Sequence, residues 1–376
     1  MLKYPTNIGY AISSLERLFY YSALDLAGGD ARGVHFTYPS VAAGAPQALP
    51  QDFQQYSVFD SANTSPENLD ALSKLCREKK IDLAITFDMQ PVHPFYPALR
   101  RGGVRKIVSY WGGPISGLSP WWKLMIKRAL LAVSRSRCDG LIFESQSMAH
   151  FATHGRGTPA SMIDVVQLGV DVEKFKPADS DYAYRTFDLP RERKIVLFTG
   201  HCSPRKGIGT LVDAAIELLQ VRRRTDLVFL FCGNKNDESK PFEAKYAGMD
   251  IAPWIRFLGY RTDVREILQT AFCGVLPSTG WDSFTMSSVE MAATGLPIIA
   301  SRLQGLKEAV VHEQTGLLFE PGNAKALADS IERLADQPEL ARQFGRNGRT
   351  RCEKELSTTV QRQRFVAALR RHFPTG

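Results

Sequence analysis

The chain of 376 residues is 44% hydrophobic and 23% charged with a formal net charge of +8, a globular composition long enough for two domains that each bury a core. No apolar run reaches the ~18 residues of a membrane span, and the opening MLKYPTNIGY lacks the apolar core of a signal peptide, so the expected location is cytoplasmic, free or peripheral on the inner face of the membrane. The six cysteines, at 76, 138, 202, 232, 273 and 352, form no C-x-x-C pair and have no histidine at ligand spacing; they read as reduced thiols, and no metal site is expected.

Strand-like and helix-like segments alternate along the chain. A glycine turn at Gly9 leads straight into a helix, so the first strand is very short or incomplete. GVHFTYPS, IDLAITFDM, RKIVSYW and CDGLIFES then read as strands, separated by the helical SPENLDALSKLCREKK and SPWWKLMIKRALLAVSRSR. Charge is concentrated in this half. From Met89 to Cys138 there is no Asp or Glu, while Arg100, Arg101, Arg105, Lys106, Lys123, Lys127, Arg128, Arg135 and Arg137 are all basic, which leaves the rest of the chain near neutral. Such a surface attracts an anionic partner: a phosphorylated substrate, an acidic membrane or a nucleic acid.

Two accounts of the second helix stay open. Trp122, Ile126 and Val133, with Trp121, Met125 and Ala129, make an apolar stripe at helical spacing, and Lys123, Lys127, Arg128 and Arg135 lie off it. Either the stripe packs on its own sheet beneath a solvated basic face, or its tryptophan end and basic face meet anionic lipid.

The polar stretch ADSDYAYRTFDLPRER reads as a linker, residues 176–194, between an N-terminal domain over 1–175 and a C-terminal domain over 195–355. Its DSD at 179–181 is a set of turn carboxylates rather than a metal-binding D-x-D. The second half restarts with KIVLFTG and continues through TLVDAAIELLQ, DLVFLFCG, IRFLGY, VREILQ and CGVLPS. This alternation predicts an α/β protein with one parallel sheet per half: two Rossmann-like domains facing across a cleft.

Two stretches carry the chemistry. In FTGHCSPRKGIGTLVDAA a strand runs into a loop with Gly200, Arg205, Lys206 and Gly207 and then a helix; glycines permit close backbone approach, and cations beside a helix N-terminus suit phosphate. The spacing is neither a Walker A loop nor G-x-G-x-x-G. In GWDSFTMSSVEMAATGLPIIAS, Asp282 precedes a helix and Glu290 follows eight positions on. The helix N-terminus is suited to anions, but Asp282 or Ser283 could equally cap it, and SSVE could form a capping box.

Taken together, VVQLGVDVEKFKP, GHCSPRKGIGTLVDAA, IRFLGY, the acid pair, VEMAATGLPIIAS, GLKEAVVHEQTGLLFEPGN and ALADSIERLADQ resemble the retaining glycosyltransferases of the GT-B fold, family-4-like, over residues 130 to 340. The resemblance implies a nucleotide-sugar donor, UDP- or GDP-linked, with no obligatory cofactor. The acceptor would be a saccharide or lipid-linked hydroxyl, in bacterial cell-surface polysaccharide or glycolipid biosynthesis. It assigns Lys206, with Gly200 and Gly207, to the donor pyrophosphate and Arg205 beside it. His201 stands where the family places an arginine directly after the first glycine. Glu290 corresponds to the acid that holds the ribose, Asp282 replaces the glutamate facing the donor sugar, and Ser283, Phe284, Thr285 and Met286 offer backbone N–H groups to sugar or phosphate. Gly9 fits the glycine turn near acceptor and phosphate, Gly112 and Gly113 allow a similar approach, and a C-terminal helix over 356–376 crosses back toward the first domain. Where relatives carry a catalytic histidine this chain has Trp111; His93 is its substitute or an ordinary loop histidine.

Two other readings are held beside this one. A nucleotide-sugar epimerase of the same architecture would change the sugar without transferring it. A basic nucleic-acid-binding protein is permitted by charge, but no RRM, helix-turn-helix or zinc signature supports it, and no nucleic-acid partner is expected.

Overall fold

The computed structural model describes residues 1–115, 117–234 and 237–373. The chain forms two compact units. The first comprises Met1–Gln167 and the residues from Thr359 on, and the second Leu168–Thr358.

In the first unit α1 (Tyr10–Leu26) precedes a parallel pair, β1 (Phe36–Tyr38) and β2 (Tyr56–Val58). A four-stranded parallel sheet follows, with β3 (Leu83–Phe87), β4 (Lys106–Trp111), β5 (Gly140–Phe143) and β6 (Ile163–Val165) side by side in chain order. α2 (Pro66–Glu78) leads into β3, and the crossovers between successive strands are α3 (Phe95–Arg101), α4 (Trp121–Val133) and α5 (Gln146–Gly155). β4 and β5 are largely apolar because both faces are covered: Ile107, Val108, Tyr110, Leu141 and Ile142 have no exposed surface. α2 starts where the sequence signals it, with Ser65 Oγ accepting from the Asn68 N–H and Pro66 in the first position.

The second unit is a six-stranded parallel sheet. Its elements in chain order are α6 (Tyr182–Thr186), β7 (Lys194–Thr199), α7 (Ile208–Ile216), β8 (Leu227–Cys232), α8 (Lys240–Glu243), β9 (Ile255–Gly259), α9 (Val264–Leu268), β10 (Cys273–Leu276), α10 (Met286–Ala293), β11 (Ile298–Ser301), α11 (Leu306–Ala309), β12 (Gly316–Phe319), α12 (Ala324–Asp336) and α13 (Pro338–Glu355). The strand order is β12-β11-β10-β7-β8-β9. The chain therefore lays β8 and β9 on one side of β7, then returns to put β10 on the other. That reversal is a switch point, and the loops leaving β7 and β10 lie there, at the carboxyl ends of the strands where α/β sheets bind ligands.

The passage between the units differs from expectation. It falls at Gln167 and Leu168, and the stretch 176–194 is packed into the second unit rather than acting as a linker. Ala183 on α6 is fully buried, the Tyr182 hydroxyl donates to Asp263 at 2.6 Å, and the Tyr184 hydroxyl donates to the Arg193 carbonyl at 2.8 Å. Residues 168–175 belong to the same unit, since the Arg349 guanidinium donates to the carbonyls of Val172 and Phe175 at 2.8 and 2.7 Å. The aromatic side chains spaced through that polar segment supply a packing face that its average composition hides. Within DSD, Asp181 is ion-paired with Arg185 at 2.7 Å and with Arg191. The last helix, α14 (Thr358–His372), lies in the first unit, with Phe365 against Phe19 at 5.6 Å and His372 Nε2 against Asp164 at 2.7 Å.

Candidate active site

Two loops of the second unit are fastened together at the switch point. β7 ends at Thr199, and Gly200 follows at φ +146° with its N–H on the Cys232 carbonyl at 2.9 Å. After one tight turn over Pro204–Lys206, Gly207 sits at φ +73° as the N-cap of α7. A Cβ on Gly207 would lie 1.7 Å from the Pro277 carbonyl oxygen, so only glycine lets the two loops meet there. The Thr279 and Gly280 N–H groups donate to the Arg205 carbonyl at 2.9 and 3.1 Å. The Thr285 hydroxyl then accepts from the Ser288 N–H at 3.2 Å as the N-cap of α10, and Ser287 Oγ donates to the Thr199 carbonyl at 3.0 Å, tying the helix start to the end of β7.

This fastening brings Lys206 to Asp282, 76 positions apart in sequence, with Nζ 2.8 Å from Oδ2. Asp282 is 4% exposed. The same Oδ2 accepts from Ser278 Oγ at 2.6 Å, Oδ1 accepts from the Ser283 N–H at 3.2 Å, and the Asp282 N–H donates to Gln304 Oε1 at 3.0 Å. The Arg205 guanidinium donates to the Trp281 carbonyl and stands 3.9 Å from Asp282 Oδ1. The result is a buried carboxylate holding one ammonium firmly and one guanidinium loosely at the mouth of a helix. A lysine ammonium has three donors, so Lys206 can bind Asp282 and an incoming phosphate oxygen together.

The capping question left open by the sequence is answered by Thr285. Neither Asp282 nor Ser283 caps α10, because Asp282 is committed to Lys206 and Ser278, and the helix begins one residue after Thr285. Met286 and Ser287 open the helix, where N–H groups have no intrahelical acceptor. Phe284 is buried just ahead of the cap. Glu290 lies about one turn into α10 and is buried. His201 is exposed at the start of the β7 loop, whose backbone is steadied by the Cys202 N–H donating to Asn234 Oδ1 at 2.8 Å.

Gly200, Arg205, Lys206, Asp282, Ser283, Phe284, Thr285, Met286 and Glu290 are thus all supplied by these loops and α10. Gly9 and His93 belong to the first unit. Gly9 is the N-cap of α1 at φ +137°, with open space where a Cβ would be and no side chain capping the helix. His93 is half-buried: its ring packs on Phe95 at 4.7 Å and Nδ1 accepts from the Phe95 N–H at 3.3 Å. Burial lowers its pKa.

Sequence reasoning missed several residues. Ser278, Gln304 and Asn234 have no motif signal and enter only through the loop packing. In the first unit, Asp88 follows β3 at φ +52°, accepts from the Gly112 and Gly113 N–H groups at 2.8 and 2.9 Å and pairs with Lys3 at 3.1 Å. Those two glycines are therefore held by a carboxylate. The buried Glu144, just after β5, accepts from the Tyr110 hydroxyl at 2.9 Å. An acid directly after an apolar strand was the available signal for both.

Comparison with known proteins agrees with this architecture. Residues 184–351 match the family model for glycosyl transferases group 1, and residues 32–174 match the model for glycosyltransferase family 4. The D-inositol 3-phosphate glycosyltransferase of Corynebacterium urealyticum is 29% identical over 205 residues, 52% of this chain and 48% of that protein. Its counterpart in Acidothermus cellulolyticus is 31% identical over 206 residues, 53% of this chain and 46% of the relative. The chain spans about half the length of the curated relatives it matches. Among solved structures, a glycosyltransferase from Rickettsia africae superposes with a TM-score of 0.83 at 17% identity, covering 100% of this chain and 98% of that one. Anabaena HepE follows at a TM-score of 0.76 and 16% identity, over 98% of each chain. Both family models describe glycosyltransferases. With its two halves matched in turn and its architecture shared end to end, the chain belongs to the glycosyltransferases of the GT-B fold.

Proposed function

We propose that this chain is a retaining glycosyltransferase that moves a hexosyl unit from a nucleoside-diphosphate sugar to a hydroxyl acceptor. The observation that carries the proposal is the Lys206–Asp282 pair, set between the switch-point loops and the N-terminus of α10. Departure of a nucleoside diphosphate builds negative charge on phosphate oxygens. Preformed cations and N–H dipoles aimed at such charge are the largest single source of rate acceleration in sites of this kind. Lys206, Arg205 and the first amides of α10 fill that role here. Asp282 positions the Lys206 ammonium and limits its freedom, so that little reorganisation is needed as charge develops. Glu290 serves the ribose hydroxyls. The acceptor hydroxyl attacks the anomeric carbon on the face the diphosphate leaves and passes its proton to that diphosphate, which retains configuration.

HepE has been solved with UDP and with UDP-glucose, which makes UDP the first base to test and GDP the second. For the acceptor we favour a saccharide or lipid-linked hydroxyl in cell-surface polysaccharide or glycolipid synthesis. The relatives' name adds a phosphorylated inositol to the trial set. A thermal-shift panel of nucleotides and nucleotide sugars tests the donor, since a ligand at about 100 times its Kd stabilises by about 2.7 kcal/mol. Lys206→Ala should then lower kcat and Glu290→Ala should raise the donor KM. Near-normal turnover in both variants would overturn the assignment. An inverted anomeric configuration in the product would overturn retention alone.

A further inference from the structure

α4 carries its apolar side chains outward. Only Leu131 of its thirteen residues is buried, whereas Trp121, Trp122, Met125, Ile126, Leu130 and Val133 are 49% to 78% exposed. Of the two accounts the sequence left open, packing of this stripe on the sheet is therefore not what occurs. At about 100° per residue, the six fill an arc of about half the helix circumference. Lys123 lies at one edge of the arc and Arg128 at the other. Leu124, Lys127 and Leu131 face the protein, with Lys127 Nζ bonded to Ser119 Oγ at 2.8 Å and to the Gly155 carbonyl at 2.6 Å. An exposed apolar face of this size on one short helix marks a docking surface.

Charge decides what docks there. Arg100, Arg101, Arg105 and Lys106 are tied to Asp139, Asp70 and Asp82 in ion pairs, so the acid-free run is largely neutralised away from the helix. At the helix Lys123, Arg128, Arg135 and Arg137 remain exposed, and the Lys123 ammonium lies 5.1 Å from the Trp122 ring. A second copy of the chain would bring like charges together at both edges of the apolar arc. The same edges suit an anionic surface whose interior accepts indole and alkyl groups. No described helix is long and apolar enough to cross a membrane, whereas an amphipathic helix with basic margins lies in the interface plane.

We infer that α4 is an interfacial membrane anchor, seating its tryptophan and aliphatic face in the acyl boundary of an acidic phospholipid bilayer with Lys123 and Arg128 among the headgroups. The surface lies wholly in the first unit, apart from Lys206, Asp282 and Glu290, so vesicle binding and donor binding can fail separately.

Flotation of the full chain with vesicles of phosphatidylcholine containing phosphatidylglycerol, and with phosphatidylcholine alone, tests this. Binding is expected to the anionic vesicles only, weakening with salt and accompanied by a blue shift of tryptophan emission. Each neutralised basic residue near the surface should lower partitioning about fivefold, so Lys123→Gln with Arg128→Gln should lower it about thirtyfold. Trp121→Ser with Met125→Ser should abolish it while leaving the nucleotide thermal shift unchanged. Equal recovery with both vesicle types, or no binding by a chain that dimerises through α4 in sedimentation velocity, would overturn the inference.

Discussion

Asp282→Asn isolates the ion pair at the centre of the site. The substitution keeps shape and still accepts from Ser278 Oγ, but it leaves the Lys206 ammonium facing an amide where it faced a carboxylate at 2.8 Å. Removing one partner of a fully buried pair costs about 3–5 kcal/mol. The side chains here are 6% and 18% exposed, so water reaches the lysine slightly and the retained Ser278 bond offsets part of the loss. About 2–3 kcal/mol is expected. For a unit the size of Leu168–Thr358, at about 2–4 °C per kcal/mol, the transition should fall by roughly 4–12 °C. Calorimetry on Asp282→Asn, Lys206→Met and the double variant measures the coupling: the double should be at least about 1.5 kcal/mol more stable than the sum of the singles predicts. Additivity within about 0.5 kcal/mol, or a silent Asp282→Asn, would refute the view that this pair organises the two loops.

Gly207→Ala should part the β7 and β10 loops, because a left-handed non-glycine residue costs about 1–2 kcal/mol before the 1.7 Å approach to Pro277 is relieved. Gly209→Ala, whose Cβ would meet nothing nearer than 3.5 Å, is the control; equal transfer activity in both variants would count against the fastening of the loops. At low pH, Asp226 should matter: hydrogen bonding from Arg224, aided by Lys194, holds its carboxyl well below the ordinary range against the opposing effect of burial. A depressed carboxyl stabilises fully above its unfolded pKa of about 3.9 and loses that contribution as pH falls through the folded value. Urea midpoints should therefore drop more between pH 5 and pH 2.5 in the wild type than in Asp226→Asn, and parallel curves would exclude the linkage.

The sequence by itself determined the class of fold and most of the residues that the two switch-point loops bring together. IVLF and LVFLFC are unbroken apolar runs bounded by glycine and polar residues, and strands covered on both faces read this way. The glycines at 200 and 207, the cations between them and the acids eight positions apart were legible because each depends on local chemistry. Three features were not. The Lys206–Asp282 contact joins residues brought together only when β10 returns beside β7, a matter of strand order that no local pattern encodes. The cap of α10 fell to Thr285 because Asp282 had a stronger partner elsewhere, and competition between partners is settled by position in space. The direction of α4 was hidden for a more general reason: helical periodicity marks which residues share a face, but whether that face meets protein or solvent depends on what the rest of the chain places beside it.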